Sequence, residues 1–352
     1  MRRALELAAL GKGHVSPNPM VGAVLVHGEA IISEGWHHRY GDVHAEVDCL
    51  DKVPAHLRHL IPECTMYVTL EPCAHTGKQP PCAPRIVEEG IRKVVVCNDD
   101  PFEQVSGAGY RILETAGVAL TRGILAGQGL WLNRRFFTAQ KSRRPYVILK
   151  WAQTADGFIA PPTKERTTIS NHYSHTIAHK WRTEEAAIAV GYNTALHDNP
   201  ALTARFWDGQ QPLRLFIDRE LRLPKTNAFY DGAAETAIFN TLENRRDGSV
   251  SLVQYDAEEP LPAQVLAYLK NSGRTSVIIE GGAALLSSFI KDGLWDEARV
   301  FTAGNTFGAG VLSPVLTNSR AVFTASVADD VLTVFQSAHA FVAHPYSAGM
   351  EL

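Results

Sequence analysis

Between His44 and Cys82 this chain gathers one imidazole, two thiols and a carboxylate in a fixed order. His44-Ala45-Glu46 opens the stretch, and Pro72-Cys73 and Pro81-Cys82 close it. One histidine and two thiolates can hold Zn²⁺ tetrahedrally and leave the fourth position to water. To use them, the fold must bring two separate stretches of chain to one point. The flanking sequence offers a way. His44–Leu50 reads as the start of a helix, residues 65–70 as a strand that stops at Glu71-Pro72, and Cys82–Glu89 as a second helix. Ligands at helix starts beside strand ends are where an α/β sheet usually builds its sites.

Glu46 gives the pattern its chemical meaning. It lies two residues past the histidine, close enough to move a proton of the bound water without being a ligand. Zn²⁺ lowers the pKa of that water toward 7 and supplies hydroxide at neutral pH, which can attack an amidine-type carbon of a heterocycle. Glu46 would then carry the proton to departing ammonia. H-x-E followed by P-C-x-x-C is the signature of zinc deaminases, but here eight residues separate Cys73 from Cys82 where the short form has two. A purely structural zinc site would want a fourth protein ligand, for which His75, His37 or His38 could serve, and it would give Glu46 no purpose.

At 352 residues the chain has room for two domains. Its net charge of −3 gives no global reason to bind nucleic acid or an anionic membrane, and no apolar run is long enough to span one. Nor does the N-terminus read as a signal peptide. Cys49, Cys64 and Cys97 are scattered in apolar surroundings and read as buried free thiols, which points to a reducing, cytoplasmic setting.

Along the first half, residues 2–10 have the spacing of a short helix stopped by Gly11 and Gly13. Met20–Val26 and Ala30–Trp36 read as strands, Lys93–Cys97 and Val118–Thr121 as two more, and Gly107–Ala116 as a helix. This alternation implies an α/β sandwich with a mostly parallel sheet. Asn18, fixed between Pro17 and Pro19, could aim its amide into a pocket. The loop 75–81 carries His75 and Lys78, both able to meet an anion. The aromatic and basic residues of 130–145 read as an amphipathic helix and polar linker in preference to a nucleic-acid surface. A boundary near residues 142–144 divides the chain into 1–142 and 143–352.

The second half restarts with a strand at Tyr146–Trp151, and further strands and helices give it a core of its own. Ile278-Ile279-Glu280-Gly281-Gly282-Ala283 runs from a buried strand through two glycines into a helix, a geometry that favours phosphate binding.

The chain closely resembles the bifunctional riboflavin-biosynthesis deaminase/reductase family. The stretches that carry the resemblance are SPNPMVGAVLV (16–26), HAE (44–46), YVTLEPCAHTGKQPPC (67–82), RPYVILKWAQTADG (144–157), DNPALTAR (198–205), QPLRLFIDRELRLP (211–224) and IIEGGAALLSSF (278–289). The resemblance implies a cytidine-deaminase-like three-layer α/β/α domain followed by a dihydrofolate-reductase-like α/β domain. It implies deamination of a phosphorylated diaminopyrimidinone, 2,5-diamino-6-ribosylamino-4(3H)-pyrimidinone 5′-phosphate, then reduction of its ribosyl chain with NADPH. On matching positions, His44, Cys73 and Cys82 hold one zinc ion and Glu46 shuttles protons. Asn18, His75 and Lys78 fall on the deaminase substrate. Ala152, Thr168, Thr194, Asp198 and Gly282-Ala283-Ala284-Leu285-Leu286-Ser287-Ser288 fall on the nucleotide side of the reductase. Arg166, Arg182, Leu202, Arg205 and Glu280 fall on its substrate side. A homo-oligomer, dimer or tetramer, is expected, with no nucleic-acid or membrane partner. The chain departs from the family at Thr154-Ala155-Asp156-Gly157, Thr168-Ile169-Ser170-Asn171 and Asp198-Asn199-Pro200.

Overall fold

The computed structural model describes residues 1–75, 79–101, 107–163 and 166–345. The chain divides into two compact units, Met1–Ser142 together with the stretch that begins at Val342, and Arg143–Phe341. The second unit therefore stops at Phe341, short of the 352 read from the sequence. Val342 instead packs with Leu70, Trp131 and Phe137 in the first unit.

The first unit runs α1 (Arg2–Ala9), β1 (Gly22–His27), β2 (Ala30–Trp36), α2 (Ala45–Asp51), β3 (Thr65–Leu70), α3 (Cys82–Glu88), β4 (Lys93–Asn98), α4 (Ala108–Thr115), β5 (Ala119–Arg122), α5 (Ala126–Leu132) and α6 (Arg134–Lys141). Its sheet has the order β2-β1-β3-β4-β5. Strand residues alternate between two faces. Ala23 and Leu25 of β1 therefore pack with Ala45, Cys49 and Leu50 of α2, Ile86 of α3 and Leu113 of α4. Val24 turns the other way, onto Ala4 and Leu7 of α1. Helices on both faces of one sheet make three layers.

The sheet is less parallel than the sequence suggested. β3 pairs parallel with β4, and β4 with β5, but β1 is antiparallel to both β2 and β3. A two-residue turn at Gly28-Glu29 allows only a hairpin there. The stretch 130–145 also differs, being two helices broken at Asn133. That residue's amide bonds the backbone of Met20 in both directions, at 2.8 Å each. Trp131 and Phe137 are buried, and the Arg134 guanidinium lies 4.1 Å from the Trp131 ring centre, so these aromatic residues serve the core.

The second unit contains β6 (Tyr146–Gln153), β7 (Phe158–Ala160), α7 (His172–Glu184), β8 (Ala187–Val190), α8 (Tyr192–Asp198), β9 (Leu213–Ile217), β10 (Thr236–Asn240), β11 (Arg245–Asp247), β12 (Val250–Gln254), α9 (Leu261–Asn271), β13 (Ser276–Glu280), α10 (Ala283–Lys291), β14 (Glu297–Thr302), β15 (Val311–Leu312), β16 (Ser319–Val327) and β17 (Asp330–Ser337). Ten strands form one sheet in the order β11-β12-β10-β9-β8-β13-β6-β14-β17-β16. The pairings from β12 to β14 are parallel. Only the edges are antiparallel. Val147, Leu149 and Ile279 meet Leu266 of α9 and Leu286 and Phe289 of α10 in one core. On α7, Trp181 stacks on Phe301 of β14. Both halves are of the mixed α/β class expected.

Candidate functional sites

In the first unit, β3 ends at Leu70 and the chain turns through Glu71-Pro72 to Cys73. The buried Glu71 carboxylate accepts the backbone N–H groups of Gly107 (3.1 Å) and Gly109 (3.2 Å), tying this turn to the start of α4. A Cβ on Gly109 would run into the Pro72 carbonyl, so only glycine permits that approach. His44 caps α2 with an extended backbone, and Cys82 is the first residue of α3. The Cys82 N–H donates to the Cys73 Sγ at 3.3 Å, and the Ala83 N–H to the Cys73 carbonyl at 3.0 Å.

The donor atoms of His44, Cys73 and Cys82 lie within 4.8 Å of one another. His44 Nδ1 stands 3.4 Å from each sulfur. A tetrahedral zinc ion, with bonds of about 2.3 Å to sulfur and about 2.0 Å to nitrogen, would separate such atoms by about 3.5 Å. The residues present thus fit zinc. Among the described residues this is the one group of His, Cys, Asp and Glu donors with that spacing. Cys73 is held far below the usual thiol range, chiefly by a hydrogen bond from Cys82 and then, against burial, by His44. The pair therefore already favours a thiolate, the form that binds metal.

Glu46 is 4 % exposed. Burial pushes its carboxyl up to about 7, with the negative Cys73 adding to the effect and His44 opposing it. Beside it, the His37 ring meets His44 edge-on at 5.7 Å. The Nδ1 of His37 faces the Val43 carbonyl at 3.0 Å, which can only accept. The proton is therefore on Nδ1, and Nε2 accepts from the Asn18 amide at 3.1 Å. Asn18 is brought within one side chain of the metal site. His37 has both nitrogens engaged and is not a fourth ligand; in the sequence its only signal was its nearness to the H-x-E triplet. His75 is exposed, and Lys78 lies outside the described residues.

In the second unit the charged centre is Glu280, at the end of β13. Lys150 of β6 bonds one of its oxygens at 2.7 Å, and Arg182 of α7 bonds the other at 2.8 Å. Burial alone would raise this carboxyl, but Arg182 and Lys150 hold it well below the usual range. Lys150 and His179 escaped the sequence reading. A lysine at alternate register in a buried strand is a signal, because such a charge needs a partner.

After Glu280 the chain turns through Gly281 and Gly282, both with positive φ (83° and 74°), into α10. A Cβ on either would crowd the Thr194 side chain, so Thr194 packs directly against the glycine turn. The first N–H groups of α10 have no intrahelical acceptors. Within 282–288, Leu285 and Leu286 are buried in the core, and the Ser288 hydroxyl donates back to the Leu285 carbonyl at 2.7 Å. Leu202 is buried with a φ of 55°, next to a loop whose Thr203 carbonyl accepts from Arg182 at 3.1 Å. Asp198 is raised by burial and drawn back by the charges of Arg166 and His197. Ala152 is half-buried on β6, and Thr168 is exposed. The structure thus brings His44, Cys73, Cys82 and Glu46 together in the first unit, and Arg182 with Glu280 in the second.

Comparison with known proteins finds a match for a stretch in each half. Residues 1–98 match the family described as cytidine and deoxycytidylate deaminase zinc-binding region, and residues 145–328 match the RibD C-terminal domain. The chain is 37 % identical over 325 residues to riboflavin biosynthesis protein RibD of Bacillus amyloliquefaciens, covering 90 % of this chain and 86 % of the relative. It is 36 % identical to the RibD of Aquifex aeolicus, with 88 % of each covered. Among solved structures, a diaminohydroxyphosphoribosylaminopyrimidine deaminase/5-amino-6-(5-phosphoribosylamino)uracil reductase of Thermotoga maritima superposes with a TM-score of 0.88 at 32 % identity. That match covers 96 % of this chain and 97 % of the other. Acinetobacter baumannii RibD gives 0.87 at 30 % identity, covering 95 % and 97 %. No described helix is long and apolar enough to cross a membrane.

Proposed function

The chain belongs to the RibD family of riboflavin biosynthesis, and from that membership we propose how each unit performs its step. It is a bifunctional enzyme, a hydrolytic deaminase and a reductase. The substrate we assign is 2,5-diamino-6-ribosylamino-4(3H)-pyrimidinone 5′-phosphate, and the nucleotide is NADPH.

In the first unit, zinc held by His44, Cys73 and Cys82 would lower the pKa of a bound water toward 7 and so supply a nucleophile at neutral pH. Glu46 takes the proton of the attacking water and delivers it to the amino nitrogen that leaves as ammonia. A buried carboxyl poised near 7 can both accept and return a proton. The charge of the cation would draw it lower, toward the base form needed first. Asn18, oriented by His37, and His75 and Lys78 would hold the pyrimidine and its phosphate.

In the second unit, the Gly281-Gly282 turn, Thr194 and the first turn of α10 would seat the phosphates of the nucleotide. Bound NADPH would supply the hydride that reduces the ribosyl chain to ribityl. Arg166, Arg182 and Arg205 would bind the substrate's anionic end, since guanidinium meets phosphate with two parallel donors. Glu280, bonded by Lys150 and Arg182, would fix the directions of both cations.

The observation that carries this reading is the 3.4 Å spacing of His44 Nδ1 from both thiols, with Glu46 buried beside them. Metal analysis of the purified protein, combined with assays of ammonia release and of NADPH or NADH oxidation, tests it. One zinc per chain, ammonia from the diamino compound and a preference for NADPH are expected. Activity in metal-free protein would exclude the assigned chemistry.

A further inference from the structure

Between α8 and β9 the chain passes through residues 199–212 without helix or strand, and Asn199 and Leu202 take left-handed backbone with φ of 42° and 55°. A stretch of that kind keeps one shape only when outside groups fix it. Here side chains take up its backbone polar groups one after another, three from outside the stretch and one, Gln211, from its far end. Arg214 donates to the Ala201 carbonyl and Arg182 to the Thr203 carbonyl, each at 3.1 Å. Gln211 grips Ala204 on both sides: its Oε1 accepts the N–H at 2.7 Å, and its Nε2 donates to the carbonyl at 3.1 Å. His179 of α7 takes the last group, its Nδ1 accepting the Arg205 N–H at 3.0 Å.

The residue at the end of this clamp is Arg205. Its guanidinium lies 5.0 Å from the Phe206 ring centre, and the charges of Arg182 and Arg166 are near enough to add to the effect of burial in lowering its pKa. The carboxylate of this cluster, Glu280, is already bound by Lys150 and Arg182. Among the described residues no carboxylate pairs with Arg205, so its charge is left for an anion. Cations that repel one another hold a common direction only if the backbone beneath them is fixed.

We propose that His179 and Gln211 are positioning residues for the reductase step, locking the backbone of Ala204 and Arg205 so that the Arg205 guanidinium meets the substrate's phosphate beside Arg182. The proposal rests on the reading of this unit as a reductase of a phosphorylated compound. His179 suits the task because it stays neutral. It is 3 % exposed, and burial together with Arg182 and Arg205 lowers its pKa to about 4. With Nδ1 accepting, the ring proton is on Nε2. The 3.4 Å approach of Arg182 Nη1 to Nε2 then joins two donors, a packing contact that spaces the arginines.

The test compares steady-state reduction of the deaminated phosphorylated intermediate with that of its dephosphorylated counterpart, using the full-length protein. His179→Leu and Gln211→Ala should each raise KM for the phosphorylated compound about tenfold or more while kcat changes less than about threefold, the signature of lost uniform binding. KM for the dephosphorylated compound should not move. An asparagine oxygen falls near the place of Nδ1, and a glutamine oxygen near that of Nε2. His179→Asn should therefore recover most of the loss, and His179→Gln should not. Unchanged KM in the variants, an equal rise for both compounds, or glutamine rescuing as well as asparagine would overturn the proposal. If the wild-type protein reduces neither compound, the reductase reading fails and takes the proposal with it. An active wild type with insensitive variants removes the proposal alone.

Discussion

The two candidate sites are held together in different ways. In the first unit, three donor atoms and a buried carboxylate come from two short motifs, and each donor stands at a helix start or in the turn after a strand. In the second, the charged centre is collected from β6, α7, β13 and an irregular loop, and its members touch through ion pairs and backbone clamps. A metal site tolerates little change in ligand type or spacing, so its geometry is written into the sequence. An ion-pair cluster needs only complementary charges at the right depth, which many sequences can supply.

Separate construction predicts separate failure. The largest effect should come from stripping zinc with a chelator. Ammonia release should disappear, while NADPH oxidation on the supplied deaminated intermediate continues at its original rate. Loss of both would mean that the two sites are not independently built. Next in size is Glu46→Gln, which should retain zinc by metal analysis and lower the deaminase kcat by about 10² to 10⁴, the usual worth of a positioned acid–base group.

The counterpart in the second unit is Glu280→Gln. It leaves Lys150 and Arg182, each 12 % exposed, without their charge partner. Breaking a buried pair costs about 3 kcal/mol or more. Reductase activity and the unfolding midpoint of that unit should fall together in a calorimeter trace, with ammonia release unaffected.

A smaller effect follows from His179. Its folded pKa of about 4 lies below the unfolded value of about 6.5, so the folded state binds fewer protons. The stability it carries is complete above about 6.5 and is lost progressively as pH falls toward 4. That amounts to about 2 kcal/mol after allowance for solvent screening. His179→Asn should flatten this part of the dependence of melting temperature on pH. An unchanged slope between pH 6.5 and 4.5 would contradict the assigned state of the ring.

The legibility of the sequence followed the same divide. The strands of the first unit and both metal-bearing helices were readable because apolar periodicity, prolines and the ligand motifs agreed. The antiparallel half of that sheet was not read, since strand composition does not carry pairing direction: the Gly28-Glu29 turn sets it for β1 and β2, and β1 meets β3 across the intervening α2. Asn133 breaks the helix expected across 130–145 for the sake of Met20, a contact more than a hundred residues away along the chain. In the second unit the Gly281-Gly282 turn announced itself through the strand before it and the helix after it. Lys150 and His179 did not, because their roles exist only once distant elements pack, and Gln211 did not because it grips Ala204 within an irregular loop that has no periodicity to read. Leu285 and Leu286, carried over with their neighbours as part of a nucleotide stretch, lie in the core.

The central claim is that one chain carries out two successive steps in two units, deamination first. The most direct measurement gives Glu46→Gln protein the diamino compound with NADPH, and then adds the deaminated intermediate. On this account neither ammonia nor oxidised nucleotide accumulates at first, and NADPH is consumed at the wild-type rate once the intermediate is present. NADPH oxidation at the wild-type rate from the diamino compound alone would contradict it.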